Sequence, residues 1–372
     1  MEEGGGGGGG GGRRRRRRRE EEGKDLRVDV DKEYEAIQEL GEGWFAKVIL
    51  VEHRKTGTEV VLKAISKDST DLKDFLREFH YSYFLSPHVN VLNTYDVAFQ
   101  DAGAYYFAQE LAPLGDLTSN LGENGIGESG AKRVAVQLAS ALEFLHSKSL
   151  VHRDLKLDNV LVFAGDFSRV KLADFGSTVK AGTQAKKDSA CMMMVPYTPP
   201  EICDVFPEEF YAVETGSDVW QLGVIAYVCL TGCLPWAKAD ITDPKYCQFL
   251  RWHRQRGIKS QAPSHFHRFS HKLQRLLRRI LEPKPEKRGD VGEVLKADTK
   301  DRWLLRSPEA SWAFSERDDP CSLAYSVASS REEKNRLLAT LLRHGVETTV
   351  DREAKKEWLR QWVMDSQPRS TK

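Results

Sequence analysis

A single change of texture constrains the fold more than any other feature of the sequence. From Tyr34 the apolar residues come in short alternating runs: Ile37, Leu40, Val48, Leu50 and Val51, then Val60, Val61 and Leu62, with a turn at Lys55-Thr56-Gly57-Thr58. Such runs read as strands. A helical stretch, Leu72 to Leu85, interrupts them, and short strands follow through Val91 to Val97 and Tyr105 to Gln109. After Gly115 the spacing becomes helical. Val134, Leu138, Leu142 and Leu145 share one face of a segment ending near Ser149. Val219, Gly223, Ala226 and Leu230 repeat the pattern, as do Leu273, Leu276, Leu277, Ile280 and Leu281. A small β-rich lobe leading into a larger helical lobe is an α+β architecture.

Composition narrows the function classes. The chain has 372 residues, 40% hydrophobic and 30% charged, with a net charge of +1. The positive charge is concentrated in Arg13 to Arg19. The rest is balanced and does not read as a nucleic-acid surface. Six cysteines are scattered without a CxxC pair, which suggests free thiols in a reducing compartment. The N-terminus has no apolar stretch, so no signal peptide is expected. The longest apolar run, Val224 to Leu230, is far short of the ~20 residues a membrane span needs. A soluble protein of the cytoplasm or nucleus is expected. Residues 1–23, built of Gly, Arg and Glu, cannot bury apolar surface and read as a disordered arm. Its arginines suit a solvated tail, a phosphate-bearing partner, or docking in cis on an acidic face. Residues 306–372 read as a helical extension, with candidate helices at Arg331 to Arg343 and Asp351 to Met364.

The chemistry lies in four places. Leu40-Gly41-Glu42-Gly43-Trp44-Phe45-Ala46-Lys47-Val48 sits between two expected strands. Its glycines let the backbone lie close over phosphates. Taken alone, Gly-x-Gly is as well explained by a hairpin turn, and the strand that follows argues against a dinucleotide fold. Lys63 ends the apolar strand Val60-Val61-Leu62, where a phosphate-pairing lysine belongs, and Glu78 on the next helix could hold it. His152-Arg153-Asp154-Leu155-Lys156-Leu157-Asp158-Asn159 follows the long helix. There Asp154 would accept the proton of an attacking hydroxyl, Lys156 would steady the phosphoryl group and Asn159 would hold Mg²⁺. Asp174-Phe175-Gly176 comes twenty residues after Asp154, with Asp174 as a second Mg²⁺ ligand.

These motifs, in this order, resemble those of the eukaryotic protein kinases. The resemblance covers residues 34–305, with a small lobe at 34–111 and a large lobe at 112–305. It implies a bilobal fold, ATP with Mg²⁺ as cofactors, and protein substrates. Tyr197-Thr198-Pro199-Pro200-Glu201 resembles the end of the activation loop. Asp218-Val219-Trp220 resembles the helix start that anchors the catalytic loop, and Arg288 the partner of Glu201. Gln109-Glu110-Leu111-Ala112-Pro113 resembles the hinge, which implies adenine contacts from the backbone of Glu110 and Ala112, with Gln109 as gatekeeper. Lys156 matches the serine/threonine kinases. Arg153 often answers a loop phosphate in this family.

Within that family, Leu150-Val151-His152 and Val170 to Gly176 resemble the SH3-binding-domain kinases. The proline-rich tail which that description suggests is missing, since only Pro308, Pro320 and Pro368 lie past residue 305, and SH3 binding is doubtful. Met193-Met194 stands where the family usually has Gly-Thr. This departure keeps an alternative open, a pseudokinase scaffold that binds nucleotide with little catalysis. Asp116 and Asp158 suggest a taste for basic residues before the acceptor, although Asp116 could instead hold the ATP ribose.

Overall fold

The computed structural model describes residues 30–43, 46–187, 196–255, 262–297 and 301–305. The Arg-rich arm, Trp44 and Phe45, Met192 to Met194 and the two expected tail helices lie outside them. Two units are resolved.

The first unit holds residues 30–79 and 94–111. Strands β1 (Tyr34–Glu42), β2 (Ala46–His53), β3 (Thr58–Ser66), β4 (Thr94–Gln100) and β5 (Ala104–Gln109) form one antiparallel sheet in the order β1-β2-β3-β5-β4. Successive side chains of a strand face opposite sides. Leu62, Val51, Phe99 and Ala108 therefore cluster on one side, where Tyr34 stacks on Phe99 at 5.6 Å. Ile65 and Phe107 face the other way, against α1 (Leu72–Leu85), whose Phe75 and Phe79 lie 6.1 and 5.8 Å from the Phe107 ring. Asp71 caps α1, accepting from the Asp74 amide at 2.8 Å.

The second unit holds residues 80–93 and the described residues from 112 onward. Residues 80–93 fall within the expected small lobe, but Leu85 and Val91 belong to the core of this unit. The strand expected from Val91 begins instead at Thr94. Val91 makes an isolated parallel bridge to Leu172, and the Leu92 amide donates to the Leu172 carbonyl at 2.9 Å. Helices α2 (Gly127–Ser147), α3 (Gly216–Thr231), α4 (Pro244–Arg254) and α5 (His271–Ile280) carry most of the core. Helix α3 is apolar nearly all round, as a helix buried on every side must be. At Gly223 a Cβ would lie 2.7 Å from Leu281, so only glycine lets that contact close. Short strands β6 (Leu150–Val151), β7 (Val160–Val162), β8 (Val170–Leu172), β9 (Val179–Lys180), β10 (Gln184–Lys186) and β11 (Phe210–Ala212) pair as β6–β9, β7–β8 and β10–β11. Among the described residues no helix is long and apolar enough to cross a membrane, and Cys203, Cys229, Cys233 and Cys247 are free thiols.

Candidate active site

In the first unit β1 and β2 form a hairpin whose tip is the glycine-rich segment. Gly41 pairs with Val48 and Glu42 with Lys47, and the Gly43 amide donates to the Ala46 carbonyl at 2.8 Å. Leu40, Gly41, Glu42 and Gly43 are exposed, and a Cβ built at Gly41 meets nothing within 4 Å. The backbone is therefore bare where a phosphate would have to approach it. Lys47 pairs with Glu42 at 2.7 Å.

Lys63 sits in mid-sheet, opposite Val48 on one neighbour and Phe107 on the other. The two-residue period puts it on the same side as Ile65, the side that faces α1. There its ammonium meets the Glu78 carboxylate at 2.6 Å, both side chains being buried. With both side chains this deeply buried, the pair is held in low dielectric. A buried charge pair of this kind fixes geometry more than it adds stability. Gln109 is buried and donates to the Thr94 hydroxyl at 3.0 Å. Glu110 directly follows β5, and Ala112, in the second unit, packs on the cluster of Leu92, Phe163 and Ala173.

In the second unit the segment His152 to Asn159 has no regular structure of its own until its last turn, so its backbone must find partners elsewhere. Helix α3 supplies them. The Asp218 carboxylate accepts from the amides of His152 and Arg153, each at 2.9 Å, and contacts His146 Nε2 at 2.9 Å. One turn on, Gln221 accepts from the Leu155 amide at 3.2 Å and donates to the Arg153 carbonyl at 3.1 Å. Asp218 is wholly buried. Burial alone would raise its pKa, but hydrogen bonds and charge from His146, with the His152 and Arg153 contributions, hold it below the usual carboxylate range. His152 packs edge-on to Phe175 at 5.2 Å; its Nε2 donates to the Ala173 carbonyl at 3.1 Å and its Nδ1 accepts from the Asp154 amide. Arg153 and Asp174 both have positive φ, 71° and 64°, which costs a non-glycine residue roughly 1–2 kcal/mol. Those bonds hold Arg153 there.

This scaffold presents three polar side chains together. Lys156 Nζ donates to both Asp154 carboxylate oxygens, at 3.1 and 3.0 Å. Asn159 Nδ2 donates to the Asp154 carbonyl at 2.7 Å and to Oδ2 at 2.9 Å. The amide nitrogen of Asn159 is thus committed to Asp154, and its oxygen is the atom left for a cation. The Asn159 carbonyl accepts from the Ala173 amide at 2.9 Å, which brings Asp174 beside it in the chain. An amide oxygen and a carboxylate are hard donors. Mg²⁺ is commonly held by one or two carboxylates plus phosphate and water, so these residues fit it.

Residues 34–299 match the protein kinase domain family. The chain is 45% identical over 277 residues to the serine/threonine-protein kinase meng-po of Drosophila melanogaster, covering 73% of this chain and 59% of that one. It is 42% identical over 280 residues to the serine/threonine-protein kinase SBK1 of Danio rerio, covering 75% and 71%. With SBK1 of Mus musculus it shares 43% over 269 residues, covering 72% and 63%. The chain belongs to the serine/threonine protein kinases. It spans somewhat under two thirds of the fly and mouse relatives' length.

The kinase's paired residues Lys63 and Glu78, and its set Asp154, Lys156 and Asn159, are brought together as the motifs suggest. Arg288 binds Glu201 through two bonds of 2.7 and 2.8 Å. Trp44 and Phe45 of the glycine-rich segment, and the Met193-Met194 departure, lie outside the described residues. Gln221, His146 and Tyr211 were not singled out by the sequence. For Gln221 the signal was its place three residues after Asp218 on one helix.

Proposed function

We propose that this kinase transfers the γ-phosphate of ATP to serine and threonine hydroxyls of protein substrates. The observation that carries the reading is the Asp154 carboxylate, gripped by Lys156 and Asn159 on a loop tied to Asp218. Asp154 accepts the hydroxyl proton as the oxygen attacks. Lys156 places charge next to that carboxylate, where the transferring phosphoryl group would gather negative charge. Asn159 and Asp174 would hold Mg²⁺, which when bound neutralises charge on the phosphates. Lys63, oriented by Glu78, pairs the nucleotide's phosphates, and the amides of residues 41–43 lie along them. Val48 lines the adenine side of this sheet, and the backbone of Glu110 and Ala112 binds the base. The Arg13 to Arg19 arm competes in cis with basic peptides. Asp158 is exposed, which supports this role, while Asp116 already accepts from the Ser119 amide at 2.7 Å.

Peptide libraries carrying serine, threonine or tyrosine as the sole acceptor test the reading. Labelled phosphate should appear on the serine and threonine libraries and not on the tyrosine library. Label confined to tyrosine, or absent from all three, would overturn it.

A further inference from the structure

Arg153 stands next to Asp154, and what its guanidinium binds decides how the loop is set. One terminal nitrogen donates to the Ser177 carbonyl at 3.1 Å, and the other to the Tyr211 hydroxyl at 2.9 Å. Its Nε is shut off from solvent and finds no hydrogen-bond partner among the described residues. An incoming phosphate would therefore have to displace bonds already made. The arginine ties together three stretches of chain: the catalytic loop, the segment just after Asp174-Phe175-Gly176, and strand β11.

Strand pairing holds Tyr211 in place for that contact. Tyr211 is aligned opposite Ala185 in the β10–β11 ladder. The ladder extends both ways: Gly182 donates to Val213 at 2.8 Å and Val213 to Thr183 at 2.9 Å, while Lys187 donates to Glu209 at 2.8 Å and Glu208 to Lys187 at 3.1 Å. The Lys187 ammonium is tied to the carbonyls of Cys203 and Val205, and Lys186 pairs with Glu208. Thr178, two residues after Gly176, is fully buried and closed to a modifying enzyme. Residues 182–187 thus draw their order from a ladder and a carbonyl-bound lysine, with no charge added beside Arg153.

We infer that Tyr211 is a positioning residue for the catalytic loop. Its hydroxyl takes the place of a phosphate at Arg153, so phosphoryl transfer requires no phosphate on the activation segment. This rests on the kinase reading above. It acts through Arg153 and touches neither nucleotide nor acceptor.

The test uses the full chain, stripped by phosphatase and confirmed phosphate-free by intact mass. Initial rates are compared for wild type, Tyr211→Phe, Arg153→Gln and the double variant, with melting temperatures alongside. Stripped wild type should keep its rate. Tyr211→Phe deletes one oxygen that bonds a charged group, and should lower kcat by about tenfold with the KM for ATP unchanged. In the Arg153→Gln background the same deletion should cost nothing further, because the hydroxyl's partner is gone. Loss of most of the rate in stripped wild type, regained on rephosphorylation, would overturn the inference. So would a loss at Tyr211→Phe that is equal in both backgrounds, since that is ordinary packing. A wild-type protein no faster than Asp154→Asn would instead sink the kinase reading, and this inference with it.

Discussion

Asp218→Asn changes one buried atom and should disable the loop that carries Asp154. In the native protein both carboxylate oxygens accept: Oδ1 from the Arg153 amide, Oδ2 from the His152 amide and His146. Asparagine offers one acceptor and one donor. Whichever way it turns, an NH₂ group faces a backbone N–H that had been satisfied. The less damaging orientation keeps Oδ1 toward His152 and His146 and turns Nδ2 toward Arg153. It still loses a charge-assisted bond worth about 1.5–3 kcal/mol and leaves a buried donor unpaired, for a total of about 3 kcal/mol. For a unit of this size that lowers the melting temperature by about 6–12 °C. The rate should fall further than stability alone requires, since a shift of ~1 Å at Asp154 can cost ~10²-fold. Thermal melts and steady-state kinetics below the melting range measure the two effects separately. A variant that melts within a degree or two of wild type at full kcat would refute the reasoning.

Lys63→Met should lower kcat by about 10²–10³-fold through lost charge at the phosphates. It should also lower the melting temperature, because Glu78 loses a buried partner at 2.6 Å; an unchanged rate would contradict the assignment. Glu128 gives a pH prediction. Burial would raise its pKa, but the bonds from Lys132 and from the Trp303 and Leu304 amides, at 2.7 and 3.0 Å, hold it below the usual value of 4.5. A depressed carboxylate stabilises fully above its ordinary pKa and loses that contribution as pH falls through the lower folded value. Amide exchange at Trp303 and Leu304 should thus quicken, relative to Glu128→Gln, below about pH 4, and loosening toward neutral pH would contradict the sign. Deleting residues 1–23 should lower the KM for a basic peptide at low salt, and an unchanged KM would dispose of the arm's role.

The parts of the fold that were legible from sequence carry local signals. Leu72 to Leu85 was bounded correctly because Asp71 caps it and its apolar face is regular. The Asp154, Lys156 and Asn159 set was legible because its members lie within six residues and their contacts are short-range. Lys63 and Glu78 were legible because one follows the apolar run Val60-Val61-Leu62 and the other lies on the next helix, although β3 does not end at Lys63 as expected but runs on to Ser66. What escaped depends on distant partners. Gln184-Ala185-Lys186 has no strand character in its composition, and its pairing with Phe210-Tyr211-Ala212 comes from context. Gln221 lies on a helix buried all round, where no amphipathic pattern marks one face from another. Val91 and Leu92 are apolar enough to begin a strand, yet the chain spends them against Leu172.

The central claim is that Asp154, held by Lys156 and Asn159, is the base of a phosphoryl transfer from ATP. It is tested most directly by following label from the γ-position of ATP into a serine peptide, for wild type and for Asp154→Asn. The account predicts steady incorporation by wild type and a loss of at least about 10²-fold in the variant, the lower end of what a general base contributes. Equal incorporation by the two proteins would contradict it.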